Sequence, residues 1–112
     1  MEIKCERIDT REHWETANTV IDKVIKDNKS GFFDLDLMHL PTGKTDIMLF
    51  FDENIKKKDM FVKFIEVDIR DGYDDVEENV NKIFKEVKSK LFNKKLIFSP
   101  SGKILLILIF EK

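Results

Sequence analysis

One cysteine, two prolines and four glycines are all that this chain of 112 residues holds of the residues that cross-link, stiffen or loosen a backbone. Cys5 stands alone, which excludes an internal disulfide and suits a reducing compartment. The longest apolar run, Ile104 to Phe110, falls far short of the roughly 20 residues that span a bilayer. The opening Met1-Glu-Ile-Lys-Cys-Glu-Arg7 carries charges where a secretory leader needs an apolar segment, so a cytoplasmic location is expected. The net charge of -2 lacks the basic excess by which a protein holds nucleic acid or an anionic membrane, and neither is expected as a partner. Histidine is nearly as scarce: His13 and His39 have no Cys or His companion at metal-ligand spacing, and neither metal nor cofactor is expected.

What is present is an ordinary globular composition, 42% hydrophobic and 38% charged, of a length that fills one domain. The two prolines open nearly the same turn, Pro41-Thr-Gly-Lys44 and Pro100-Ser-Gly-Lys103, 59 positions apart. Sliding the chain by 59 without gaps aligns residues 1–53 with 60–112 and leaves 54–59 as a connector. Fifteen pairs are then identical, among them Lys4/Lys63, Asp9/Asp68, Lys23/Lys82, Phe33/Phe92, Leu37/Leu96, Gly43/Gly102, Leu49/Leu108 and Phe51/Phe110. Chance would supply about 4, and fixed-period self-similarity is the mark of a repeated structural unit. The reading is an internal duplication within one domain.

Each half runs strand, helix, strand, turn, strand. Trp14, Ala17, Ile21, Val24 and Ile25 recur at helical spacing behind a capping-box pair, Asp9 and Glu12. Val76, Val80, Ile83, Phe84, Val87 and Leu91 repeat the stripe, opened by Asp74 and Glu77. Phe33, Leu35 and Leu37 alternate with Asp34 and Asp36, the period of a half-buried strand. The strands leaving the turns, Asp46 to Phe51 and Ile104 to Phe110, are apolar on both sides and belong inside a sheet. The expected fold is α+β: a duplicated βαββ unit with about six mainly antiparallel strands in one sheet, two helices on one face and a pseudo-two-fold axis.

Chemical motifs are sparse. Gly43-Lys44-Thr45 matches the end of a Walker loop, but Met38 holds the first glycine position and a strand follows the lysine where the loop requires a helix. The sister turn ends Gly102-Lys103-Ile104, without the hydroxyl that binds magnesium. His39 pairs with Phe98 across the repeat and reads as a half-buried structural group. Acids crowd the start of the second helix (Asp68, Asp71, Asp74, Asp75, Glu77, Glu78), as helix dipoles favour. Lysines 23, 26 and 29, repeated at 82, 85 and 88, read as solvated faces, and Lys56-Lys57-Lys58 as a solubilising run. No nucleophile, base and orienting acid fall together, so no enzymatic activity is expected.

The halves differ most in strand chemistry. Glu2, Lys4 and Glu6 become Phe61, Lys63 and Ile65, while Asp46 becomes Leu105 in a strand that also carries Ile107 and Ile109. With helices on one sheet face, an apolar surface formed by Phe61, Ile65, Val67, Leu105, Ile107 and Ile109 needs a cover. Three covers are open: curling of the sheet round a second core, a homodimer, or an external ligand or protein. Glu66, partnered with Arg7 in the repeat, is a candidate acidic group among these apolar neighbours.

Tandem strand-helix-strand-strand units resemble the gyrase-inhibitor-like effector-binding domains. The resemblance is one of topology over nearly the whole chain and carries over no ligand-binding residue. Members of that family hold small hydrophobic or cationic ligands between repeats, and the resemblance implies a non-enzymatic small-ligand or effector-binding domain, expected here to use the apolar sheet face of the second repeat. The alternative is a stand-alone protein-interaction module of the immunity, antitoxin or phage-inhibitor kind, a homodimer included, using the apolar face or the acidic start of the second helix.

Overall fold

A computed structural model describes residues 1–9, 14–68, 73–98 and 103–112. Among them the order is β1 (Glu2–Asp9), α1 (Trp14–Asp27), β2 (Gly31–His39), β3 (Lys44–Asp52), β4 (Met60–Asp68), α2 (Tyr73–Glu86), β5 (Lys90–Phe98) and β6 (Lys103–Glu111). The expected α+β repeat of two βαββ units is present. Apart from the first residue of β4, every element of the second half begins and ends 59 positions after its counterpart. Glu12, His13, Asp71 and the turn from Pro100 to Gly102 lie outside the described residues.

The six strands form two three-stranded antiparallel sheets, ordered β1-β3-β2 and β4-β6-β5. Registers repeat with the sequence: Ile3 faces Phe50 as Val62 faces Ile109, and His39 faces Thr45 as Phe98 faces Ile104. Even the irregularity repeats, with an extra residue in β2 at Phe33 and in β5 at Phe92. The bulge changes the alternation read from sequence. Phe32 faces Phe51 and Leu35 faces Leu49 on the buried side, whereas Phe33 lies 6.3 Å, ring to ring, from Phe50 on the other.

One core joins the two sheets. From the first it takes Ile8, Phe32, Leu35, Ile47, Leu49 and Phe51, and from the second Met60, Val62, Phe64, Leu105, Ile107 and Ile109. Splitting the six strands lets each sheet bury one face against the other, which a single six-stranded sheet under two short helices would not do. The contributing faces are unlike. Ile47, Leu49 and Phe51 are the repeat counterparts of Leu106, Leu108 and Phe110, which sit on the opposite side of β6 from Leu105, Ile107 and Ile109. A two-fold axis would bring like faces together; this core joins the inner face of the first sheet to the other kind of face on the second.

Helix α1 fastens the halves. Ala17, Ile21 and Ile25 recur every fourth residue and are buried against the second sheet. Burying the two isoleucines contributes about 1.5–3 kcal/mol each. Beside this stripe, Asn18 accepts a hydrogen bond from the Phe64 amide at 3.0 Å and Asp22 one from the Val62 amide at 2.9 Å. β4 is an edge strand, and α1 occupies that edge. The connector then holds the end of α1. Lys57 of the lysine run donates to the carbonyls of Lys26 (2.5 Å) and Asn28, where a cation complements the helix carboxyl end, so its role is structural and not merely solubilising.

The Pro41 turn is a hairpin. Gly43 takes φ of 82° and its amide donates to the Leu40 carbonyl, after which Lys44 starts β3 directly. No helix follows to offer its amino terminus to a phosphate.

Candidate functional site

The seven residues singled out from sequence divide between two surfaces. Register and alternation put Leu105, Ile107 and Ile109 on the side of the second sheet that meets the first, where all three are buried in the core. Phe61, Ile65 and Val67 face the other way, with Ile104, Leu106, Leu108 and Phe110 beside them on β6. The reason is the pairing of Phe61 with Phe110, which sets odd positions of β4 against even positions of β6. The first sheet, packed on the second in one shared core, thus covers half of the expected patch.

Glu66 belongs to the inner set by alternation and lies at its rim. Trp14 of α1 donates its indole N–H to Glu66 Oε2 at 2.9 Å and stacks on Phe64 with ring centroids 5.3 Å apart. Lys103 of β6 reaches Oε1 at 3.1 Å. Both carboxylate oxygens are therefore engaged within the chain, joining α1, β4 and β6.

The outward face of the second sheet has a buried floor and an exposed flank. Leu108, Phe110 and Val67 are buried, Phe61 stacks on Phe110 at 5.2 Å, and Phe84 of α2 meets Phe110 edge-on at 6.3 Å. Toward β5 the cover ends, where Leu96 is 61% exposed and Phe98 72%; Phe84 on α2 is itself 42% exposed. These three complete the surface and were not among the residues singled out. The repeat held a signal for two of them, since Leu96 corresponds to Leu37, which packs against the shared core, and Phe84 to Ile25, which is buried in it.

The first sheet also turns an apolar face outward. Ile3, Met38 and Met48 are exposed there, beside Cys5, Phe50 and a bidentate ion pair of Arg7 with Asp46 at 2.6 and 2.9 Å. The Arg7 hydrogen bond holds the Asp46 carboxyl below the ordinary carboxylate value. At the opposite edge of the molecule, Lys95 of β5 bridges Asp34 at 2.8 Å and Asp36 at 2.9 Å in β2. Burial lowers the Lys95 ammonium, but its hydrogen bonds to the two carboxylates outweigh this and raise it overall.

Two clefts lie elsewhere. One of ≈ 610 Å³ runs between β1 and α1, lined by Glu2, Lys4, Glu6, Lys23, Val24 and Asp27 among others, a mixed-charge wall containing none of the seven residues. A smaller one of ≈ 240 Å³ involves Phe61 at its margin, with Asp22, Lys58, Asp59 and Lys112. His39 is half-buried, its Nδ1 2.8 Å from the hydroxyl of the fully buried Thr45.

Comparison with protein-family models, with curated proteins and with solved structures finds no match. Among the described residues no helix is long and apolar enough to cross a membrane.

Proposed function

We propose that this chain is a non-enzymatic protein-docking module whose working surface is the outward face of the second sheet together with α2. The observation that carries this reading is the exposure of Leu96 and Phe98 beside Leu106 and Ile104 and of Phe84 beside the buried Phe110. Large apolar side chains left against water on one face of a small protein mark a surface for contact with another macromolecule. Leu96, Phe98 and Phe84 line neither of the two clefts, which suits a protein better than a small molecule. A ligand held between the repeats, as in effector-binding domains, would need the space that Ile47, Leu49, Val62, Ile107 and Ile109 fill with side chains.

The test is native mass spectrometry of the protein purified gently from its own host, wild type beside a Leu96→Asp/Phe98→Asp variant. Protein adducts or self-complexes on the wild type that disappear in the variant are expected. A wild type carrying a small molecule, or nothing, would reject the reading.

A further inference from the structure

The way the two halves meet defines what the outer surfaces are shaped to meet. Inside the chain, the inner face of the first sheet and the stripe of α1 receive the opposite kind of face of the second sheet and the edge of β4. Because the halves repeat register for register, the second half presents a receiving surface of the same layout, with an exposed Lys94 where the first has the buried Leu35. Val76, Val80 and Phe84 stand where α1 has Ala17, Ile21 and Ile25; Phe84 is 42% exposed and Ile25 only 2%. The first half presents the inserting surface again: Ile3 and Met48, both exposed, stand where Val62 and Ile107 are buried. The chain carries one filled joint and both halves of a second, unfilled one.

Resting on the docking reading above, we propose that the partner is a second copy of this chain, joined head to tail, its first sheet seated on the second sheet and α2 of its neighbour. Edge chemistry supports this occupant. The amides of Val62 and Phe64 end on Asp22 and Asn18, and their counterparts are the amides of Ile3 and Cys5, which face away from β3 on the outer edge of β1. The counterparts of the two acceptors are Asn81 and Glu77, both exposed on α2 and both able to accept from an amide. Charge agrees as well. In the repeated joint, Asp36 of the incoming copy falls at Asn93 and Lys95, opposite charges that meet there as an extension of the bridge each already makes within its own chain. A joint between unlike surfaces does not consume itself in a dimer; it continues unless the rotation closes a ring.

Sedimentation velocity over a concentration series, with Met48→Lys and Leu96→Lys, tests this. Met48→Lys damages the inserting surface and Leu96→Lys the receiving one, at exposed positions; unchanged circular dichroism establishes that each variant is folded, and Met38→Lys with Phe98→Lys is the substitute pair. Wild type is expected to grow in mass with concentration, each variant alone to remain a monomer, and an equimolar mixture to form a dimer and stop there. Amide exchange at Ile3 and Cys5 is expected to slow as wild type associates. A dimer that survives Met48→Lys but not Leu96→Lys, or the reverse, means like faces meet and overturns the proposal. So does a mixture that stays monomeric. A wild type monomeric at every concentration overturns it too, while leaving the docking reading to be decided by what co-purifies from the host.

Discussion

Asp22 shows how much a single side chain decides here. It is half-buried at the joint between α1 and β4, and burial raises its carboxyl above the ordinary range, only partly offset by the Val62 amide and by Lys63 and Lys112. A raised folded value means the native state binds this proton more tightly. The contribution to stability is present below the unfolded value near 3.8 and is lost as pH rises through the folded one. Asp22→Asn keeps an oxygen for the Val62 amide and removes the buried charge, so it is expected to match or exceed wild-type stability at neutral pH. Asp22→Ala leaves the amide without its acceptor and should cost about 1–3 kcal/mol. Urea unfolding of the three proteins at acid and neutral pH checks both statements; equal losses for Asn and Ala would show that the acceptor is irrelevant. Asp46 works in the opposite sense. Its hydrogen bond from Arg7 depresses the folded value, so its contribution is present at neutral pH and disappears as pH falls through that value.

Among the elements, the connector and α1 do more than their sequences suggest. A Cβ added at Gly31 would come within 2.5 Å of the Ile55 carbonyl oxygen, so the connector can pass only over a bare backbone. Gly31→Ala is expected to destabilise by about 1–3 kcal/mol, the usual cost of overpacking, read as a lower urea midpoint with unchanged slope. Its repeat counterpart is Lys90. Most element boundaries were legible: the 59-residue shift, the helical stripes and the proline turn each point to structures that formed. The bulges at Phe33 and Phe92 were not, because one inserted residue leaves local alternation looking intact while reversing which side it faces. The edge-capping role of Asn18 and Asp22 was equally silent, since a polar residue next to a helical stripe ordinarily faces water.

At the scale of the whole molecule, the sequence disclosed the repeat but not how its copies sit together. Two copies of one unit can meet through like faces or unlike ones, and composition favours neither. Grouping Phe61, Ile65 and Val67 with Leu105, Ile107 and Ile109 assumed one continuous apolar face; strand register separates them. The substitution of Glu2 and Glu6 by Phe61 and Ile65 did mark the outward surface, though its exposed flank at Leu96 and Phe98 emerged only with the pairing of β5 to β6.

The placement of α1 on β4 also has a meaning in time. A ribosome releases the helix long before the strand that will take its apolar stripe, so Ile21 and Ile25 must wait through the synthesis of the rest of the first half and the connector. The first half made alone, residues 1–53, is therefore expected to stay without cooperative structure and to gain it on mixing with residues 60–112, as followed by circular dichroism. A fragment 1–53 that melts cooperatively by itself would contradict this. The repeat reads as two units on paper, yet it is born as one.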